Sequence, residues 1–494
     1  MYMEKIIDEK KIFDCLSKTG RPSSAAFEAA LEKGLLKKGL SLEETATLIN
    51  TTDPKLIKKI FEVASRIKDE IYGERLVLFA PLYISDYCIN DCEYCNFHEK
   101  NRELVRRKLT REEIALETKC LIDMGHKRVL VEFGEDPDRN SIDYICESIH
   151  TIYSVKSGGN SIRRLNVNIA ATTTEDYRRL KAEKIGTYQL FQETYHRKTY
   201  EEVHKGGPKA DYDRQLTAHA RAFEAGIDDL GIGVLFGLYD WRFEVMALVS
   251  HAQWMDKKLG VGPHTISVPR FQPAPTVTYR PKHIVSDEDF LKLIAILRIA
   301  VPYTGMILST RETPEIRARA FKLGISQASA ASITTTGGYS KIPLFCPPKA
   351  DPPLADTEGK GEVDLPHLTS PYKGEEADRD SQFTIHDTRS LNEVVKAAVA
   401  DGLIPSFCTA CYRTGRTGEA FMGLAKEGDI HKFCRPNALL TFAEYLEDYA
   451  DGELKKEGGD LINQFISQIA EAHIKEETKR RLAEVRSGKR DLYF

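Results

Sequence analysis

The chain has 494 residues, 41% of them hydrophobic and 29% charged, the profile of a globular enzyme rather than a fibrous or disordered chain. Seventy Lys and Arg against 74 Asp and Glu leave a formal charge of −4, which argues against a main role in wrapping nucleic acid or lying on an anionic membrane. Nothing approaches the ~18 apolar residues of a bilayer span, since even the 291–301 run carries Lys292 and Arg298.

The N-terminus alternates charged with apolar residues and lacks a signal-peptide apolar run, so a cytoplasmic location and no membrane partner are expected. Residues 1–74 read as helical. Ser41-Leu-Glu-Glu44 is a capping box, and Thr52-Asp-Pro54 starts an amphipathic run that Gly73 ends. From Arg75 short β-branched or aromatic runs alternate with helix starts. Strands are expected at 75–85, 127–134, 164–170, 187–195, 229–237, 265–271, 305–312 and 325–332, with helices opened by Thr110, Ser286 and Thr313-Pro314 between some of them. Eight strands alternating with helices over about 260 residues is the count and size of a (β/α)₈ TIM-type barrel, here 75–346, with an open doubly wound sheet as the alternative. Residues 347–380 shift to Pro, Gly, Asp, Glu and Lys, the composition of a linker or mobile loop. From 381 to 494 helical patterning resumes, with one apolar stripe at Ile462, Phe465, Ile466 and Ile469 and a charge-laced final helix.

The ten cysteines are not scattered. Cys88, Cys92 and Cys95 form C-x₃-C-x₂-C just after the first strand, and Cys408, Cys411 and Cys434 form C-x₂-C-x₂₂-C in the tail. Cys15, Cys120, Cys146 and Cys346 stand alone, and the apolar surroundings of Cys120 and Cys146 suit buried small hydrophobes. A long chain without a secretory signal is not a disulfide scaffold, so closely spaced thiols point to metal or redox chemistry. Barrel active sites lie at the C-terminal ends of the strands, where the first triad falls. Three thiolates can hold three corners of a cubane iron–sulfur cluster and leave one iron open; zinc completed by His98 is the alternative. For the tail, zinc completed by His431 competes with an iron–sulfur cluster having one open position.

The first motif at the head of such a barrel resembles that of the radical S-adenosylmethionine (SAM) enzymes. The resemblance implies a [4Fe-4S] cluster on Cys88, Cys92 and Cys95, whose open iron chelates the methionine part of SAM, and reductive formation of a 5′-deoxyadenosyl radical. Tyr94 fills the aromatic position before the third cysteine. Glu135 in Phe133-Gly-Glu135 matches the family's Gly-Gly-Glu element at the methionine amino group, with Phe in place of the first Gly. Gly231 and Gly233 in GIGVLFG (231–237) resemble the glycine-rich fifth strand beside the adenine, and Glu193 and Arg197 are candidates for ribose or carboxylate contacts. Within these enzymes the whole chain is similar to the tyrosine-lyase maturases of [FeFe]-hydrogenase, through PLYISDYCINDCEYCNF (81–97), YQLFQETYH (188–196), PHTISVPRFQPAP (263–275) and the tail cysteines. A sister group, the thiamine-pathway 2-iminoacetate synthases, shares the barrel but lacks the tail motif.

That resemblance implies cleavage of the Cα–Cβ bond of L-tyrosine to p-cresol and dehydroglycine. It further implies conversion of the fragment to CO and cyanide on an extra iron of an auxiliary cluster held by Cys408, Cys411 and Cys434. His264, in Gly262-Pro-His264, matches the histidine that helps hold that iron. The implied partners are an electron donor such as ferredoxin or flavodoxin and other hydrogenase maturation proteins. Because His264 precedes the sixth strand, it and the auxiliary cluster are expected at the barrel mouth opposite the first triad. At the catalytic mouth, Ser309 and Arg311 end the seventh strand on one face, where an arginine can clamp the tyrosine carboxylate; a surface pairing of Arg311 with Glu312 is the alternative. Rival readings are 2-iminoacetate synthesis and a non-catalytic iron–sulfur scaffold.

Overall fold

The computed structural model describes residues 5–342 and 379–494; Cys346 and nearly all of the expected 347–380 linker lie outside these residues. Four helices lead in: α1 Glu9–Lys18, α2 Ser24–Leu35, α3 Leu42–Ile49 and α4 Pro54–Tyr72. The Ser41–Glu44 capping box opens α3, and Asp53 caps α4 with Pro54 in its first turn. These helices pack onto the barrel. Lys292 Nζ donates to the carbonyls of Ile49 and Thr51 at 2.7 Å each, placing a buried cation where the end of α3 presents unpaired oxygens.

All eight expected strands form, in order: β1 Arg75–Ser85, β2 Arg128–Phe133, β3 Arg164–Asn168, β4 Tyr188–Gln189, β5 Leu230–Gly233, β6 Thr265–Ser267, β7 Gly305–Leu308 and β8 Gln327–Ser329. Neighbours pair in parallel, and β8 returns to β1 through Val77–Gln327, Leu78–Ala328 and Phe79–Ser329. That closure makes the sheet a (β/α)₈ barrel and removes the open-sheet alternative. β4 shrinks from the expected nine residues to two because the chain beyond it turns through Glu193 at φ +64°, a left-handed conformation that ends regular strand geometry. A ninth strand, β9 Ile404–Ser406, escaped the sequence reading; it pairs in parallel with Arg75–Val77 of β1.

Strand alternation sorts the side chains. Leu76, Leu78, Ala80, Leu82 and Ile84 of β1 join the core beneath the outer helices, whereas Phe79 joins Leu130 and Ile307 in a separate apolar cluster inside the barrel. Beyond β9 the tail is helical, and Ile462, Phe465, Ile466 and Ile469 are buried as their stripe implies. Cys15, Cys120 and Cys146 are buried singly. Among the described residues, no helix is long and apolar enough to cross a membrane.

Candidate functional site

β1 ends at Ser85 and the chain turns at once into the first triad, so the thiols stand over the C-terminal ends of the strands. Cys88, Cys92 and Cys95 line a cavity of about 220 Å³ together with Tyr83, Glu132, Glu135, Glu193, Ser309 and Arg311 from strand ends around the barrel. The loop is held by polar contacts rather than by packing alone. Arg107 N donates to Asp86 Oδ1 at 2.6 Å, and Ile89 N donates to the Glu135 carbonyl at 2.8 Å. Asn90 ties three pieces together: its Nδ2 donates to Glu135 Oε2 at 2.6 Å and stands 3.8 Å from Cys88 Sγ, while its Oδ1 accepts from Lys209 N at 2.8 Å. Gly134 lets the loop come close, since a Cβ there would stand 2.3 Å from the Tyr87 carbonyl oxygen.

Burial pushes all three thiols up, Cys92 most strongly and Cys95 to about 11, and the neighbouring thiol charges add to the effect at Cys92 and Cys95. Desolvated thiols facing one another become stable thiolates when a metal supplies positive charge. Amide donors already approach two of them, Asn90 at Cys88 and Gln382 Nε2 at 3.7 Å from Cys95 Sγ, as suits sulfurs of a cluster. His98 turns instead to Asp91, at 3.1 Å, away from the role a fourth zinc ligand would require. Among the described residues no three His, Cys, Asp or Glu side chains are gathered tightly enough for a single metal ion.

The other expected residues divide. Tyr94 lines the cavity, buried, with its hydroxyl 2.8 Å from His204 Nε2. Glu135 lines it and pairs with Arg214 at 2.9 Å. Glu193 lines it and pairs with Lys209 at 2.8 Å. Arg197 does not: it lies outside the cavity, about half exposed, and pairs with Asp213 at 2.7 Å. Gly231 and Gly233 do not line it either. They serve close packing, since a Cβ would meet Thr265 Oγ1 at 2.5 Å or Phe191 at 2.6 Å. Ser309 and Arg311 both face the cavity, with Arg311 over the Phe383 ring at 3.3 Å. Glu312 pairs with Arg270, which removes the alternative partner for Arg311.

Among the cavity residues that escaped the sequence reading are Lys209, Glu132, Gln382 and Phe383. Lys209 follows a Gly-Gly-Pro turn between helices, and its partner Glu193 is recognisable only in three dimensions. Gln382 and Phe383 reach the catalytic mouth from the tail, where Asn96 Nδ2 donates to the Ser381 carbonyl at 2.8 Å. Glu132 was within reach, because alternation along Arg128, Leu130 and Glu132 puts all three on one face of β2.

The tail triad lies at the other mouth. Arg75, Arg128, Gly305 and Gln327, which start β1, β2, β7 and β8, share a cavity of about 50 Å³ with Cys408, Cys411, Cys434 and His264. This is less than a quarter of the catalytic cavity. The expected juxtaposition of His264 with the tail thiols at the mouth opposite the first triad is what the fold produces. Arginines surround the thiols: Arg75 beside Cys434 and Arg416 beside Cys411 each offset part of the burial that pushes those thiols up, and Arg128 Nη1 donates to the Cys408 carbonyl at 2.7 Å. The acidic neighbours of Arg75 are Cys434, Tyr72, Cys408 and Cys411, and its Nε is sealed from solvent without a hydrogen-bond partner. A guanidinium kept among thiols fits an anionic thiolate cluster. Burial lowers the His264 pKa, leaving a neutral imidazole, the form that ligates metals. Its Nδ1 lies 3.6 Å from Asp229 Oδ1, and neither that nitrogen nor either Asp229 oxygen has a hydrogen-bond partner. His431 is held elsewhere, 2.5 Å from the Gly428 carbonyl.

Comparison with known proteins agrees with this geometry. Residues 82–248 match the model of the Radical SAM superfamily, and residues 267–404 that of the Biotin and Thiamin Synthesis associated domain. The chain is 29% identical over 380 residues to the 2-iminoacetate synthase of Salmonella typhimurium, covering 76% of this chain and 89% of that protein. A crystal structure of HydG, a maturase of the [FeFe]-hydrogenase, superposes with a TM-score of 0.90 at 48% identity over 99% of this chain and all of that one. The X-ray structure of the maturase HydG from Carboxydothermus hydrogenoformans gives a TM-score of 0.80 at 38% identity, over 98% of this chain and 99% of that one. Similarity of this extent, over a closed barrel with a thiol triad at each mouth, makes the chain a member of the radical SAM superfamily and, within it, of the HydG family.

Proposed function

We propose that the chain is a radical SAM lyase that cleaves the Cα–Cβ bond of L-tyrosine to p-cresol and dehydroglycine, and that the fragment becomes CO and cyanide at the tail triad for [FeFe]-hydrogenase maturation. The observation that carries this reading is the pair of thiol triads at opposite mouths of one barrel, each with room for a ligand beside it. Cys88, Cys92 and Cys95 would hold a [4Fe-4S] cluster, and Cys408, Cys411 and Cys434 with His264 an auxiliary cluster with an extra iron. When bound, the first cluster and SAM supply the electron and the adenosyl radical that start the reaction.

The chain's own residues bind and orient. Glu135, fixed by Arg214 and Asn90, faces the site of the SAM amino group, and the Glu193–Lys209 pair closes the cavity wall beside Cys92. Arg311, backed by Phe383 and next to Ser309, is placed to take the tyrosine carboxylate. The apolar belt of Phe79, Leu130 and Ile307 below keeps water from the reacting end of the barrel. An electron donor such as ferredoxin or flavodoxin and other maturation proteins would complete the cycle.

The 2-iminoacetate synthase likeness supports a second reading, the same cleavage without the diatomic products. Anaerobic reconstitution with iron and sulfide, metal counting, EPR with and without SAM, and product analysis with L-tyrosine test both. Two clusters with p-cresol, CO and cyanide support the proposal. One cluster with p-cresol alone selects the second reading, and intact tyrosine and SAM under reducing conditions would defeat both.

A further inference from the structure

The charges facing the catalytic cavity, apart from the cysteines, are Glu132, Glu135, Glu193, Lys209 and Arg311. Glu135 is paired with Arg214 and Glu193 with Lys209. Among the described residues Arg311 stacks on Phe383 without an ion pair, and Glu132 is likewise without one, its register partner on the neighbouring strand being the neutral Asn168. So an acid and a base without ion-pair partners are left over in one cavity, Glu132 from β2 and Arg311 just beyond β7, three strands round the barrel. A desolvated charge without a partner is costly, and a buried acid stays neutral until a cation stands beside it, so a ligand that brings an anion to Arg311 and a cation to Glu132 satisfies both groups. An α-amino acid in its zwitterionic form has that charge pattern.

We propose that Glu132 accepts the α-ammonium group of the substrate while Arg311 holds its carboxylate, so that the cavity reads both ends of an amino-acid head group. This rests on the reading of L-tyrosine as substrate and adds the residue that distinguishes an amino acid from the corresponding acid. Asn168, the register partner of Glu132 on the neighbouring strand β3, lines the cavity beside it. Tyr83 from β1, Glu193, Lys209 and Arg311 are the other ionisable groups around it, and Arg311 is the charge it feels most strongly. In the empty cavity burial favours the neutral acid. An ammonium group alongside favours the carboxylate, and the displaced proton leaves to solvent.

The test compares L-tyrosine with 3-(4-hydroxyphenyl)propionate, which keeps the phenol and carboxylate but has no amino group, on the reconstituted, SAM-loaded enzyme. Glu132→Gln is expected to weaken L-tyrosine binding about 10- to 100-fold, the scale of one lost hydrogen bond to a charged group, and to leave the deaminated ligand within about twofold, since it makes no such bond. Glu132→Asp, which keeps the charge, guards against a folding defect and should lose less for tyrosine and nothing for the deaminated ligand. The SAM-dependent EPR change of the first cluster should be the same in all three proteins. Equal weakening of both ligands, or no weakening for tyrosine, overturns the inference. If the wild-type holoenzyme neither binds nor cleaves L-tyrosine, the substrate reading itself fails, a result separable from the other two.

Discussion

Val77 and Ser406 are partners in a parallel register. Val77 already pairs with Gln327 of β8 along its other edge, so β9 occupies the lower part of the edge that β2 takes higher up, from Ala80 onward. Cys408 follows two residues after Ser406 and is thereby delivered to the N-terminal mouth. Cys88 follows three residues after the far end of the same β1 strand. One strand thus sets the separation of the two thiol triads, and the barrel lies between them.

Replacing Gly134 by Ala should damage the first site and spare the second. The new Cβ would meet the Tyr87 carbonyl at 2.3 Å, backbone that cannot rotate away. Overpacking of this kind costs about 1–3 kcal/mol, and here it pushes against the cysteine loop. Iron counts and EPR should show loss of the SAM-responsive cluster with the tail cluster retained. Full occupancy of both would contradict the close approach.

Lys209 and Glu193 form a largely buried pair. Lys209→Met leaves a carboxylate without its partner, which costs on the order of 3–5 kcal/mol in buried pairs. The double substitution Lys209→Met with Glu193→Leu should recover most of that loss. Denaturant unfolding of the wild type and the two variants checks it, and a double variant no more stable than Lys209→Met would show that the pair is not the source of the penalty.

Much of this was legible in the sequence because barrels advertise themselves locally. β1 was read to the residue from its long β-branched and aromatic run, and the capping boxes at Ser41 and Thr110 form as read. The catalytic mouth followed from the placement of Cys88, Cys92 and Cys95 after β1, and the opposite mouth from His264 preceding β6. What stayed hidden depends on folding. β9 is three residues with a proline, too short for any periodicity. Arg197 was placed at the site by its nearness to Glu193 in sequence, yet Glu193 turns through a left-handed conformation and the helix Arg197–Val203 carries the arginine outward. The glycines of β5 mark close strand packing, a need that sequence cannot distinguish from contact with a nucleoside.

Acid should destabilise the protein through its buried histidines. Burial holds His126 and His204 down to about 3 and His219 to about 4. All three are neutral in the folded state, whereas in the unfolded chain each binds a proton below about pH 6.5. The unfolded state therefore holds more protons between roughly pH 4 and 6.5, so stability falls as pH drops through that window and is unaffected by these groups above about pH 7. Each contributes about 1.4 kcal/mol per pH unit within it. Denaturant unfolding across pH 4.5–8 should show this slope, reduced by about one proton in His126→Leu. A slope of the opposite sign would contradict the burial.

Arg75 should matter to the tail cluster and not to tyrosine cleavage. Its guanidinium lines one cavity with the three thiols and offsets their charge. Arg75→Leu removes the positive charge that offsets the thiolates. The expected result is lower iron at the tail site and CO release reduced about tenfold or more, as for loss of a charge-assisted contact worth ~1.5–3 kcal/mol. p-Cresol formation should stay near wild type. Unchanged CO with full tail iron would show that Arg75 does not support the cluster.

The most direct test of the division between the two mouths measures p-cresol and CO from the same anaerobic reactions of the wild type, Cys88→Ala and Cys408→Ala. The expected result is both products from the wild type, neither from Cys88→Ala, and p-cresol without CO from Cys408→Ala. Normal CO release from Cys408→Ala, or loss of p-cresol in parallel with CO, would contradict the assignment of cleavage to the first triad and of diatomic assembly to the second.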